Sequence, residues 1–224
     1  MRGAGRAKSI GVSIKLPQEN TANEVIAGDT KHVSMRYFFT RKLMLVKESQ
    51  GFLCLPGGFG TLDETFEILT LVQTGKSMPV PIVFLDAPGD PYWQQVNNFI
   101  EEQLVSRQLV SHSDTSLFLI TDDVNKAANE IRSFYTNYHS LRYVGNLLIL
   151  RLKHVPTVEQ MELINSHFSY LCLSGKIEHS GPAKVELRDD DYVALPRIAF
   201  KFGKIAYGDQ RKLINLLNSF HSLW

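Results

Sequence analysis

The ten-residue segment from Leu55 to Glu64 constrains the fold of this 224-residue chain more than any other segment. Its sequence is LPGGFGTLDE, and it joins an apolar run from Gly51, which predicts a buried strand, to an amphipathic stretch from Thr61 to Gly75. A strand, a glycine loop and a helix start together let backbone N–H groups point at an anion, helped by the positive end of the helix dipole. Glycine also lets a phosphate approach the backbone closely. The segment therefore predicts an anion site with a carboxylate, Glu64, one turn away.

The same residues also allow a purely structural interpretation. Thr61 and Glu64 have the T-x-x-E spacing of a capping box, in which the Thr side chain accepts from a backbone N–H and the Glu side chain reaches back. Pro56 and the glycines would then form only a turn. Spacing alone does not separate the two interpretations, but three glycines, where a simple turn needs one, favour the ligand site.

Three stretches of this chain resemble the Lonely Guy (LOG) family, whose members were long labelled lysine decarboxylase-like. They are RYFFTRK at Arg36–Lys42, PGGFGTLDE at Pro56–Glu64 and TLVQTG at Thr70–Gly75, within a resemblance that covers roughly residues 1 to 135. Characterised members hydrolyse the N-glycosidic bond of nucleoside 5′-monophosphates, releasing free base and ribose 5-phosphate. The resemblance implies this substrate and activity, a Rossmann-like fold, a homodimer or higher oligomer, and no cofactor.

The resemblance also assigns roles to individual residues. Glu64 and Arg41 would be catalytic, because a carboxylate stabilises an oxocarbenium-like transition state and a guanidinium offers permanently charged donors. The phosphate and nucleotide would be bound by Gly57, Gly58, Gly60, Thr61 and Lys42. Glu67, one turn after Glu64 on the same helix face, is a candidate contact to the ribose hydroxyls, with a solvated residue as the alternative. Without the resemblance, Arg41 would be interpreted as a surface helix arginine. Leu71 stands where many plant-type members carry Trp, so cytokinin specificity is not implied.

Composition narrows the class of protein. A net charge of +1 argues against a nucleic-acid-binding surface, and the two cysteines, Cys54 and Cys172, form no disulfide framework. Cys54 lies inside an apolar run and is expected in the core. No apolar run approaches the ~18 residues of a membrane span, and the N-terminus has no apolar signal region. The cytoplasm is the expected location, and the scattered histidines predict no metal site.

Apolar runs alternate with helical patterns through the first part of the chain. Strands are predicted at Ile10–Leu16, Gly51–Leu55, Pro81–Leu85 and Leu117–Ile120. Helices are predicted at Val33–Ser49, at Thr61–Thr74 with Gly75 as its stop, from Asp90 and Pro91 to about Ser106, and from Asp122 to about Tyr138. This alternation predicts an α/β fold with a parallel sheet, in which ligands bind at the carboxyl ends of the strands.

The region beyond residue 138 has a different pattern. It is predicted to hold a strand at Leu148–Leu152, a helix at Thr157–Leu173 with a Thr157–Gln160 capping box, a strand at Ile198–Phe202 and a helix from Asp209 to Phe220. We therefore expect residues 1–138 to form a Rossmann-like catalytic domain and residues 139–224 a small α+β appendage. The charged run Arg188–Asp191 is expected to be a solvated turn rather than a cation site.

When the chain is aligned with the family, the first strands of the family fold have no counterpart in the sequence. Family members usually begin with two further strands and a second glycine-rich loop, which would precede the segment starting at Met1. By the family's strand order these strands would lie between those near Ile10 and Leu53, and their absence would expose an apolar sheet edge on a four-stranded remnant. A fragment, a late start codon and a chain completed by a partner are the three explanations.

A non-catalytic nucleotide- or cofactor-binding protein, such as a sensor, carrier or pseudoenzyme subunit, is the alternative function. Intact Arg41 and Glu64 count against this alternative. The absence of the second glycine loop counts for it, since that loop helps to hold the nucleotide. An in-frame glycine-rich strand and loop encoded upstream of Met1 would favour the enzyme.

Overall fold

The computed structural model describes residues 9–15, 28–203 and 205–221. The chain divides into two compact units, residues 1–50 and 51–224. Both contain parallel strands and helices, which confirms the predicted Rossmann-like α/β class. None of the helices in these described ranges is long and apolar enough to cross a membrane.

In residues 9–15 and 28–50, the first unit holds a pair of parallel strands and one helix. These are β1 (Gly11–Ile14), β2 (His32–Met35) and α1 (Phe38–Glu48). Val33 was predicted to begin a helix but lies in β2, because pairing with Val12 of β1 decides between the two structures that a short apolar pattern allows. The end of the first predicted strand, Leu16, lies outside the described residues.

The second unit begins with a three-stranded parallel sheet and its helices. These are β3 (Phe52–Cys54), α2 (Phe59–Gln73), β4 (Ile82–Leu85), α3 (Tyr92–Phe99), β5 (Phe118–Thr121) and α4 (Val124–Ser133). A π-helical segment, Ile100–Val105, continues α3, and a 3₁₀ helix, His112–Leu117, precedes β5. The strand order is β3-β4-β5, while β1 and β2 form a sheet of their own. In the part of the chain that the structure describes, the predicted four-stranded remnant is instead two separate parallel sheets, one of two strands and one of three.

Strand β3 differs from the prediction of a buried strand. Among the described strands it pairs only with β4 and so lies at one edge of its sheet, and Leu53 is 48% exposed. Strand β4 is central, and all four of its residues are buried. An apolar sequence therefore identified both strands, but only the position in the sheet decided which of them is buried.

The rest of the second unit is built on an antiparallel sheet. Its elements are β6 (Tyr138–Val144), β7 (Leu147–Leu152), α5 (Val158–Phe168), β8 (Glu178–His179), α6 (Lys184–Arg188), β9 (Arg197–Lys201) and α7 (Tyr207–Ser219). The sheet order is β6-β7-β9-β8. The capping box of Thr157 and Gln160 is confirmed. Two predictions were wrong: Tyr138 starts β6 rather than ending α4, and Ala206 rather than Asp209 precedes α7 as its N-cap.

The two faces of β7 have different surroundings. Leu148, Leu150 and Leu152 belong to the main apolar cluster, which α5 and α7 complete. On the other face Arg151 is buried and pairs with Glu186, with 2.7 Å between Nη2 and Oε1. Arg151 also pairs with Asp191, so the run Arg188–Asp191 is part of an ion-pair network and not the solvated turn predicted from sequence.

Helix α7 packs against the antiparallel sheet and also contacts helices of the parallel part of the second unit. Gly208 packs against the backbone of Ser113, and the Ser116 hydroxyl donates to the Gly208 carbonyl at 2.9 Å. At the end of α2, Gly75 adopts φ +66° and faces the Tyr207 ring, which confirms Gly75 as the helix stop. Residues on both sides of the 138/139 boundary therefore share one compact unit, and that domain boundary stays a prediction.

Candidate functional site

The glycine loop connects β3 to α2 and is exposed throughout. Helix α2 begins at Phe59, with Gly58 as its N-cap and no side chain in the capping position. Thr61 is the third residue of the helix, and its N–H donates to the Gly58 carbonyl at 3.0 Å. The predicted start at Thr61 was two residues late, and the capping box of Thr61 and Glu64 was wrong. The structural interpretation of the segment therefore loses its main support.

The first turn of α2 presents backbone donors to solvent. Within residues 51–203 and 205–221, the N–H groups of Gly58, Phe59 and Gly60 donate to no carbonyl or side chain. Such N–H groups at a helix start require water, a cap or a ligand as partner. The positive end of the helix dipole adds to them, so this turn is suited to an anion such as phosphate.

The three glycines of the loop differ in how much room their surroundings leave for a side chain. A Cβ on Gly57 would lie 2.2 Å from Thr61 Oγ1 and 3.0 Å from Thr61 Cβ, so a side chain there would force the Thr61 side chain to move. A Cβ on Gly58 or Gly60 would meet nothing within 4 Å, and neither residue has a positive φ. The conformation of the chain therefore does not require glycine at these two positions. Close approach of a bound group to the backbone would require it.

Two carboxylates follow the loop on α2. Helical rise places the backbone of Glu64 about 6 Å along the axis from Gly60, and Glu67 about 4.5 Å further. Both side chains are partly buried. Thr65, beside Glu64, is buried, so this turn of the helix packs toward the interior of the unit. Burial raises the pKa of the Cys54 thiol, and the nearby Thr65 side chain lowers that pKa by less.

One contact to the loop was not foreseen from sequence. The hydroxyl of Tyr92, the first residue of α3, donates to the Gly57 carbonyl at 2.7 Å. The signal available was indirect: α3 starts just after β4, so its first residues lie at the same carboxyl edge of the sheet as the glycine loop. The Asp90–Pro91 pair predicted that helix start, and the Asp90 carboxylate accepts from the Tyr92 N–H at 3.0 Å.

The remaining predicted site residues, Arg41 and Lys42, lie on α1 in the first unit. Arg41 Nε donates to the Val12 carbonyl at 3.2 Å, which ties α1 to β1. Their roles toward a nucleotide stay predictions, as does the role of Glu67. Among the residues that the structure describes, no group of three or more His, Cys, Asp or Glu side chains could hold a metal ion.

A family model with the description "Possible lysine decarboxylase" matches residues 1–131, which is more than half of the chain. The chain belongs to this family. The match includes the first unit and the β3–α2 segment with its glycine loop. The curated relatives of the chain are named as LOG phosphoribohydrolases that act on cytokinin riboside 5′-monophosphates.

Three of these relatives show the extent of the similarity. A probable cytokinin riboside 5′-monophosphate phosphoribohydrolase of Arabidopsis thaliana is 32% identical over 97 residues, which cover 43% of this chain and 47% of the relative. The corresponding enzyme of Oryza sativa subsp. japonica is 30% identical over 109 residues, or 47% of this chain and 43% of the relative. A second Arabidopsis thaliana enzyme is 36% identical over 87 residues, covering 39% and 38%. The chain thus spans less than half the length of these family members.

Proposed function

We propose that this protein is a nucleoside 5′-monophosphate phosphoribohydrolase, which releases the free base and ribose 5-phosphate. The observation that carries the proposal is the pair Gly58 and Gly60. Neither residue needs to be glycine for the chain's own packing or backbone conformation, and both lie at an uncapped helix start. The names of the curated relatives, which act on cytokinin riboside 5′-monophosphates, support the same chemistry.

In the proposed reaction the 5′-phosphate binds the amides of Gly58, Phe59 and Gly60, with Thr61 and Lys42 as further donors. Water attacks C1′ of the ribose, the bond to the base nitrogen breaks, and the base leaves with a proton. Positive charge develops on the sugar as this bond breaks, so a carboxylate nearby lowers the barrier or accepts the proton of the water. We assign this role to Glu64, with Arg41 as a further catalytic group and Glu67 facing the ribose hydroxyls.

The first expected result concerns the phosphate. A nucleoside 5′-monophosphate should bind measurably, and the corresponding nucleoside much more weakly, because the loop amides supply the anion site. Gly58→Ala should weaken binding of the monophosphate at least about tenfold, since a methyl group would stand where the phosphate approaches. Titration calorimetry with both ligands on both proteins measures this.

The structure provides a matched control for this variant. A Cβ at Gly58 meets nothing within 4 Å, so Gly58→Ala should cost only the replacement of an N-cap glycine by alanine, less than about 1 kcal/mol. Gly181→Ala, at a similarly open position, should leave the thermal unfolding midpoint unchanged. Gly181→Ala should also leave binding unchanged. Equal affinities of the wild-type protein for nucleotide and nucleoside would refute the anion site. Binding without base release would instead favour the non-catalytic sensor or carrier.

We also propose that the protein is a homodimer or larger, formed through α1. Phe38, Phe39 and Leu43 are 54%, 68% and 61% exposed, and α1 buries none of its residues. Clustered apolar exposure of this kind marks protein–protein contacts. On α2, Val72 is buried and Leu69 is partly buried within the chain, so these two apolar residues are less available for such a contact. The cytoplasmic location stays a prediction.

Light scattering coupled to size exclusion tests the assembly. We expect a mass of at least twice the 25.4 kDa of one chain at micromolar concentration. Leu43→Glu should shift the protein toward monomer, because it places a charge in the apolar contact. Val155→Glu, at an equally exposed site in the other unit, is the control and should not change the mass. A single-chain mass for the wild-type protein would contradict the proposal.

A further inference from the structure

We propose that Tyr92 is a positioning residue for the phosphate loop. Its hydroxyl fixes the peptide group between Gly57 and Gly58, so that the Gly58 N–H is held toward the bound anion. The identification of that anion as the 5′-phosphate of a nucleotide rests on the proposed function. The anchoring of the loop itself rests on the contacts of the second unit alone.

The geometry of one peptide group carries the inference. Tyr92 Oη donates to the Gly57 carbonyl at 2.7 Å. The carbonyl and the N–H of a trans peptide point in opposite directions, and the described residues contain no cis peptide bond. The Gly58 N–H therefore points away from Tyr92. If this peptide were to flip, it would turn a carbonyl oxygen toward the anion and repel it.

The peptide group between Gly57 and Gly58 is the part of the loop that can most easily change its orientation. Both residues that flank it are glycine, and glycine has access to a wider range of backbone angles than any other residue. The next carbonyl along the chain, that of Gly58, is already held by the N–H groups of Thr61 and Leu62 at 3.0 and 3.2 Å. Thr61 also limits space beside Gly57, but this contact is steric and does not orient the carbonyl. The Tyr92 hydroxyl supplies the missing directional restraint.

Tyr92 is itself held in place by the core around β4. Its ring packs edge-on against Trp93, with 4.9 Å between centroids, and Trp93 is fully buried and stacked on Phe84 at 4.5 Å. The backbone N–H of Trp93 donates to the buried Asp86 carboxylate at 3.2 Å. A hydroxyl that is positioned in advance restrains its acceptor at little further entropic cost. The packing around the central strand therefore fixes the position of the hydroxyl that orients the loop.

The test removes the hydroxyl and nothing else. Tyr92→Phe should weaken the binding of ribose 5-phosphate about tenfold, the effect of one typical hydrogen bond. In a turnover assay KM should rise by a similar factor, while kcat changes less than about twofold because Glu64 is untouched. Titration calorimetry with ribose 5-phosphate, and with inorganic phosphate as a second probe, gives the affinities.

Tyr143→Phe is the matched control, because it also removes a hydrogen-bonded tyrosine hydroxyl, here one that accepts from Gln210 Nε2 at 3.1 Å. It should leave the affinity for ribose 5-phosphate unchanged. Equal losses in the two variants would show a general structural effect and overturn the inference. Wild-type affinity in Tyr92→Phe, or wild-type protein that binds neither probe, would also overturn it. Intact binding without base release would refute the proposed function but leave this inference to be judged by the affinities.

Discussion

Glu64→Gln is expected to reduce the rate of base release at least about 100-fold, the usual cost of losing a positioned acid–base or charge-stabilising group. Glutamine keeps the size of the side chain but cannot offset positive charge on the sugar or accept a proton. The N-cap of α2 is Gly58, so Glu64 does not complete a capping box and its replacement should not unwind the helix start. Binding of ribose 5-phosphate should persist.

Chromatographic detection of the free base measures this effect, alongside circular dichroism of each variant. Asp63→Asn is the matched control, since it removes an exposed carboxylate from the neighbouring position of the same helix. It should keep near-normal turnover. If Glu64→Gln turned over at the wild-type rate with an unchanged spectrum, Glu64 would have no part in the chemistry and the catalytic assignment would fail.

Gly208→Ala is expected to destabilise the second unit by about 3 kcal/mol, at the upper end of the cost of overpacking. The added Cβ would lie 2.1 Å from the Ser113 carbonyl oxygen and 2.8 Å from the Asp114 nitrogen. These are backbone atoms, which cannot move aside as a flexible side chain can. Helix α7 would have to separate from the 3₁₀ helix and break its hydrogen bond with Ser116.

Urea-induced unfolding, followed by circular dichroism, measures the free energy of unfolding of this variant. Gly181→Ala adds the same methyl group where nothing lies within 4 Å and should change that free energy by less than about 0.5 kcal/mol. A loss in Gly208→Ala confined to the antiparallel sheet would support an independent domain after residue 138. A loss shared by both sheets would show that α7 makes them one folding unit. An unaltered free energy would refute the close packing.

Features that depend on neighbouring residues followed from the sequence. The strand–loop–helix order around PGGFGT, the stop at Gly75 and the capping box of Thr157 were all predicted, because turn chemistry and capping act within a few residues. The family and the α/β class followed from the same motif and from the alternation of strands and helices. The sequence also singled out Glu64, at a position defined by helical spacing from the loop.

Other features were decided only by contacts between distant parts of the chain. The start of α2 at Phe59, the exposure of β3 at a sheet edge and the docking of α7 on Gly208 have no local signature. Tyr92 reaches the Gly57 carbonyl from 35 residues away. Local pattern specifies which backbone conformation each segment prefers. Whether a strand is buried and which side chain orients a loop depend on the neighbours that the assembled sheets supply, and these become available only when the chain has folded.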